Sequence, residues 1–228
     1  MIQFLDSIPF KKYKPKSAMR SYSLFLFLFF FFSCSQFSVP KGFVEFDPDP
    51  SEGKSKNRIE VDFDNDKTKD VFTIIYEAKK ELHQAKKYLL IYLSSHDKVY
   101  YIDFDIFNGV FDMPLEYKNG IVGFTVVQEG TAGYAHELKL KYNVDKKNIQ
   151  LVGYNFSYRT PGGHCAKTYD LLTGDYTVSN ELFIINSEET KTEEFKGNKK
   201  PSKDIFINSF TSKLFGNLSS IGREYEKE

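Results

Sequence analysis

Tyr134-Ala135-His136-Glu137-Leu138-Lys139-Leu140-Lys141-Tyr142 is the stretch that decides the fold. Leu138 and Leu140 fall on one side of an extended chain, Lys139 and Lys141 on the other. A two-residue period of this kind marks a strand with one buried and one wetted face. Residues 143–148 form a polar turn, and residues 149–158 (IQLVGYNFSY) read as the returning strand. Further out, residues 71–76 (VFTIIY), 88–93 (YLLIYL) and 98–104 (KVYYIDF) concentrate β-branched and aromatic side chains, the composition that fits a pleated, half-buried surface. Lys118-Asn119-Gly120 supplies the Asn-Gly signal of a tight hairpin between 113–117 and 121–128. Residues 177–185 add another strand.

The remaining segments are read by composition. Residues 77–87 (EAKKELHQAKK) are good helix formers, with Ala78, Leu82 and Ala85 as a thin apolar stripe, which predicts a short surface helix. Residues 186–204 are polar and charged, with Gly197 and Pro201, and read as a long loop or mobile arm. Residues 205–215 are expected to dock as a last strand, with a fraying end. The fold class expected is mainly β, α+β at most: a single antiparallel sheet or sandwich over residues 58–228 with one short surface helix. Residues 35–57 hold Pro40, Pro48, Pro50 and Gly53 without periodicity, so 34–57 reads as a flexible tether.

The 228 residues carry 31 basic and 31 acidic side chains, 23 Phe, 15 Tyr, 2 Cys and no Trp. Such a chain is too apolar for a disordered protein and too poor in cysteine for a disulfide scaffold. A zero net charge argues against a general nucleic-acid binder, which needs a basic surface. The average hides two populations. Residues 1–33 hold eight of the Phe and five basic groups against one acid, Asp6. Lys11 to Arg20 form a basic region, and residues 24–32 (LFLFLFFFF) an apolar core, followed by Ser33-Cys34. This is the layout of a secretory signal over 1–33, with an apolar run too short to span a bilayer. Met19 offers a second start. The remaining 195 residues carry 26 basic and 30 acidic groups, a net charge of −4.

Phe31-Phe32-Ser33-Cys34 resembles a bacterial lipobox, with Phe31 where that pattern has Leu. The resemblance implies lipidation of Cys34, a membrane partner through that anchor, and a cell-envelope location. Ser35, rather than Asp, after the cysteine implies the outer membrane, facing the periplasm. With Cys34 lipidated, Cys165 is the single thiol left, so the fold rests on its core rather than on an internal disulfide.

Asp62-Phe63-Asp64-Asn65-Asp66-Lys67-Thr68-Lys69-Asp70 places acids at positions 1, 3, 5 and 9 of a nine-residue loop that precedes a strand. Calcium takes six to eight oxygen ligands, and alternate side chains of a tight loop converge. The candidate ligands are Asp62, Asp64, Asp66 and Asp70, with the backbone carbonyl of Thr68. The spacing resembles the acidic loop of FG-GAP and VCBS repeats, in which Gly stands where this chain has Lys67. Position 12 is Thr73, so the loop is not an EF-hand. With a single copy and no fixed-period repeat, a propeller is excluded. The order of features over about 58–185 resembles a group of uncharacterised bacterial envelope proteins in which one such loop opens a compact β domain. That resemblance implies a fold and possible bound Ca2+, and is nearly silent on activity.

Other chemistry is thin. Gly162-Gly163-His164-Cys165, with Asp170 nearby, is the arrangement closest to a nucleophile, but neighbours on a strand point to opposite faces. Four His without CxxC or HExxH give no zinc spacing, and Gly130-Thr131-Ala132-Gly133 lacks the Lys of a phosphate loop. Tyr88, Tyr92, Tyr100, Tyr101, Tyr154 and Tyr158 are candidates for a face that binds an unknown protein or glycan. The expected function is a non-enzymatic envelope lipoprotein, a binding or structural module stapled by calcium. The alternatives are a periplasmic immunity-type protein and an envelope hydrolase using Cys165.

Overall fold

The computed structural model describes residues 37–46, 57–81, 84–107, 111–112, 115–128, 130, 133–184 and 189–227. The signal segment, Cys34 and residues 47–56 of the expected tether lie outside the described residues. Two antiparallel sheets share one core. The smaller contains β1 (Phe43–Glu45), β2 (Arg58–Val61), β3 (Asp70–Glu77), β4 (Lys87–Leu93) and β5 (Lys98–Asp103). Both β1 and β2 pair with β3, along different halves of it, and β3, β4 and β5 then run as a meander. The larger sheet contains β6 (Phe111–Asp112), β7 (Glu116–Lys118), β8 (Ile121–Gln128), β9 (Tyr134–Asn143), β10 (Asn148–Thr160), β11 (Gly163–Asp170), β12 (Asp175–Phe183) and β13 (Thr190–Asn198). From β8 to β13 each strand hydrogen-bonds to the next. All of this lies in the compact unit Phe37–Glu228.

The alternation read in 134–142 is the one the sheet uses. Leu138 pairs with Phe124 and Tyr154, Leu140 with Val122 and Leu151, and all of these are buried. From the smaller sheet, Phe72, Ile74, Leu89, Ile91 and Ile102 face them across the shared core. Phe104, just after β5, meets Phe124 edge-on at 5.2 Å between ring centres. The Asn-Gly hairpin forms as expected: Asn119 and Gly120 take φ of 54° and 75°, and β7 pairs with β8 across them. The Pro161-Gly162-Gly163 turn also forms, and a Cβ on Gly163 would stand 1.8 Å from the Glu181 carbonyl oxygen, so the β11–β12 approach requires glycine.

Four expectations are corrected. The described residues of 77–87 form no helix. β3 runs through Glu77, β4 begins at Lys87, and the described residues between them form turns, tied by a Glu77–Lys80 ion pair of 2.8 Å and a Lys86 amide donating to Glu77. Three small or isolated apolar residues offer too little face to hold a short helix. Part of the expected tether is strand β1, and Phe37, Val39 and Phe43 cover the outer face of the small sheet over Val71, Ile75, Leu90 and Tyr92. Residues 190–198 are not loop but β13, nine residue pairs against β12. Its charged, mostly exposed side chains suit an edge strand, where they discourage further pairing. Residues 205–215 give no strand: Phe206 makes one isolated bridge to Gln150, and the chain continues into α1 (Ser212–Ser219), the α-helix among the described residues. Among them no helix is long and apolar enough to cross a membrane.

The segment after β13 explains how the large sheet is finished. That sheet is wider than the small one, and Ile205, Ile207, Phe210, Leu214, Phe215, Leu218 and Ile221 cover the rest of its inner face. The described C-terminal residues are tied to β12 rather than frayed: Asn180 Nδ2 donates to the Tyr225 carbonyl (2.9 Å) and Lys227 N–H to Asn180 Oδ1 (3.1 Å). Under this cover His136 is 7% exposed, stacked on Phe156 at 4.5 Å, with Nδ1 2.9 Å from the Tyr154 hydroxyl. Burial, helped by the charge of Lys167, lowers its pKa from 6.5 to about 4. The unfolded chain protonates this imidazole near 6.5 while the folded chain keeps it neutral. Its contribution is therefore complete above pH 6.5 and is lost as pH falls toward 4, a loss of about 3 kcal/mol. Urea midpoints measured across that interval should fall with pH in the native chain and much less in a His136→Phe variant.

Candidate functional site

The acidic loop connects β2 to β3, with Val61 paired to Asp70 at its neck. Asp70 opens the strand and is fully buried. Its Oδ2 accepts the amides of Phe63 (2.9 Å) and Asp64 (3.3 Å), and its Oδ1 accepts the amide (2.9 Å) and hydroxyl (3.1 Å) of Ser94. One carboxylate thus ties the loop to the end of β4. Asn65 and Lys67 take φ of 64° and 73°. Lys67 therefore adopts the left-handed conformation for which FG-GAP-like loops use glycine, at a cost in backbone strain that glycine would avoid.

Of the expected ligands, the loop brings together Asp62, Asp64 and Asp70, whose carboxylate oxygens lie within 4.8 Å of one another. Asp66 falls outside this group: its Oδ1 accepts the Thr68 amide (2.7 Å) and hydroxyl. The Thr68 hydroxyl also lies 2.6 Å from that of Ser94. Asp62 Oδ2 accepts the Lys67 amide (3.1 Å), while Asp62 Oδ1 is buried with no hydrogen-bond partner. Asp64 accepts the Asp66 amide (3.2 Å) and the Ser95 hydroxyl. Ser94 and Ser95 belong to the site but are invisible in the loop's own sequence, because 24 or more residues separate them from their partners.

The electrostatics follow from this geometry. Burial, together with the neighbouring charge of Asp64, pushes the Asp70 carboxyl above its ordinary value against its four hydrogen bonds. At Asp66 the slight burial pushes the same way, but the two Thr68 bonds outweigh it and the carboxyl lies below the ordinary range. Asp62, Asp64 and Asp70 could hold a metal ion. Two oxygens bound to one calcium at about 2.4 Å stand at most about 4.8 Å apart, so the cluster has a suitable span. All its donors are hard carboxylate oxygens, and the orphaned Asp62 Oδ1 lacks the partner a buried oxygen normally has.

The other candidates are placed apart from this loop. Cys165 is 1% exposed, paired in register with Tyr158 and Asn180, and burial pushes its thiol up despite a bond from Tyr158. Catalytic thiols are held low and partly open. His164 is paired with Arg159 and Glu181, on the opposite face of β11 from Cys165. Asp170 accepts the amides of Leu172 (2.7 Å) and Thr173 (3.1 Å) and so shapes the β11–β12 turn. The six tyrosines form no common face. Tyr88 and Tyr101 meet on the outside of the small sheet at 6.1 Å, Tyr100 and Tyr154 enter the shared core, Tyr92 lies under Phe37, and Tyr158 lines a cavity of the large sheet. No family model, no curated protein and no solved structure matches this chain, so the chemistry of the site is argued from its own residues.

Proposed function

We propose that this protein is a cell-envelope lipoprotein, anchored through Cys34, whose β domain is a non-enzymatic binding or structural module with calcium in the 62–70 loop. The observation that carries the calcium reading is the orphaned Asp62 Oδ1 within a cluster of three carboxylates. The charge of Asp64 already raises the cost of ionising Asp70, and a divalent ion among these carboxylates would favour the ionised form of Asp70. Calcium suits the site because it accepts irregular oxygen sets and completes its shell with water, whereas magnesium demands near-octahedral geometry. Such an ion would fix the β2–β3 connection to the end of β4, stiffening the rim of the smaller sheet. The leader and its lipobox-like end support the anchor, and the outer-membrane location rests on Ser35 alone.

Thermal unfolding of the Phe37–Glu228 unit tests the metal. At 100 times its Kd, calcium adds about 2.7 kcal/mol, a rise in Tm of about 5–10 °C for a domain of this size. An Asp62→Asn/Asp64→Asn variant should lose that rise, and magnesium at equal concentration should give less of it. An unchanged Tm in millimolar calcium removes calcium from the proposal.

A further inference from the structure

A cavity of about 490 Å3 lies at the opposite end of β9 from the acidic loop, between the large sheet and its C-terminal cover. Its walls are Phe107, Tyr134, His136, Phe156 and Phe215, from four separate parts of the chain. Phe107 and Phe215 meet edge-on at 5.0 Å, and the Tyr134 hydroxyl donates to the Phe107 carbonyl (3.1 Å), so the walls are braced against one another. On the metal side of the same strand Tyr142 bonds His96 and packs on Phe63. Six residues of strand separate Tyr142 from His136, about 20 Å.

Polar groups complete the cavity. Glu226 is already neutralised, 2.8 Å from the fully buried Nζ of Lys167. Arg159 and Arg223 also line it, and neither guanidinium has an ion-pair or hydrogen-bond partner among the described residues. The cavity thus carries two uncompensated positive charges on a domain whose net charge is negative. His136 contributes a neutral imidazole. Its Nδ1 lies 2.9 Å from the Tyr154 hydroxyl, and the ring lines the cavity. Aromatic walls take a flat or apolar body, while planar guanidinium groups grip a carboxylate, sulfonate or phosphate in two-pronged fashion. The volume falls within the usual range for small-molecule sites.

The geometry points to a binding site for a small organic anion with a planar or apolar body, its charged group held by Arg159 and Arg223 and its body between Phe156 and Phe215. The site owes nothing to the metal loop or to the anchor. The probe is 1-anilinonaphthalene-8-sulfonate, a flat aromatic sulfonate, titrated by fluorescence against the Phe37–Glu228 unit with its native circular dichroism checked. One saturable site is expected. An Arg159→Gln/Arg223→Gln variant should weaken it by roughly tenfold or more, the worth of two charge-assisted bonds. A Tyr101→Ser variant on the outer face of the small sheet should bind as the native chain does. Both arginines are exposed, so their replacement leaves the fold intact. Non-saturable binding, equal affinity in the arginine variant, or an equal loss on Tyr101→Ser overturns the proposal.

Discussion

Replacing Phe124 by alanine is expected to lower the unfolding free energy by about 3–5 kcal/mol. Phe124 lies in the core that the two sheets share, against the connection between them. It lies on β8, has no exposed surface, and pairs in register with Leu138. Its ring is 5.2 Å from Phe104, at the end of the smaller sheet, and 6.0 Å from Phe107, where the chain crosses toward the larger one. Truncation removes the transfer free energy of the ring and leaves a cavity in a close-packed core, which its surroundings fill only in part. A domain of this kind has about 5–15 kcal/mol in total, so the variant should lose a large share of its stability. The control is Tyr101→Ala, on the open face of the small sheet and 48% exposed, which should cost far less. Urea unfolding followed by circular dichroism measures both. A loss below about 1 kcal/mol for Phe124→Ala would show that the sheets do not depend on this contact.

Strands were legible in the sequence wherever one face is buried and the other is not. Residues 134–142 announce themselves because Leu and Lys alternate, and residues 71–76 and 88–93 because fully buried strands are continuously apolar. β13 was not legible, since its backbone pairing to β12 needs no apolar side chain. Its one large apolar group, Phe195, stacks on Tyr225 at 5.0 Å, a partner 30 residues away that no local pattern reveals. The helix was misplaced for the complementary reason. Residues 77–87 have helix propensity without a face to bury, whereas α1 includes Gly216 and Asn217 but buries Leu218 and packs Leu214 and Phe215 on the core. Its signals were a capping residue, Thr211, whose side chain accepts the Leu214 amide (3.2 Å), and the 214–215–218 spacing. In the acidic loop, spacing placed the acids correctly along the chain. Which of them converge was not set by spacing: Asp66 is engaged by Thr68 and falls outside the group of three. The aromatic cavity was not legible at all, because its walls join only when the C-terminal segment folds back over β9 and β10.

Glu226→Gln is expected to cost about 3–5 kcal/mol, the penalty for leaving a buried charge without its partner. Lys167 alternates in register with Cys165 and Tyr169 and so projects inward from β11, where its side chain has no exposed surface. Its ammonium meets Glu226 at 2.8 Å and the Ser219 carbonyl at 2.6 Å, and lies 5.6 Å from the Phe156 ring centre. Glutamine keeps the shape of Glu226 and can still accept a bond, but not the charge. The ammonium then retains neutral partners alone, the Ser219 carbonyl and an aromatic face among them. Lys167→Met makes the opposite test. It removes the buried charge itself, fills nearly the same volume, and leaves Glu226, which is 10% exposed in its side chain, free to turn toward water and toward the arginines of the cavity. Replacement of a buried charge by an apolar residue of similar size is often close to neutral, so Lys167→Met should cost much less than Glu226→Gln. Both are read from urea midpoints at neutral pH. The ordering matters more than either value: if methionine costs as much as glutamine, the ion pair holds the C-terminal cover by attraction, and if glutamine alone is costly, the pair is there because Lys167 cannot be buried without it.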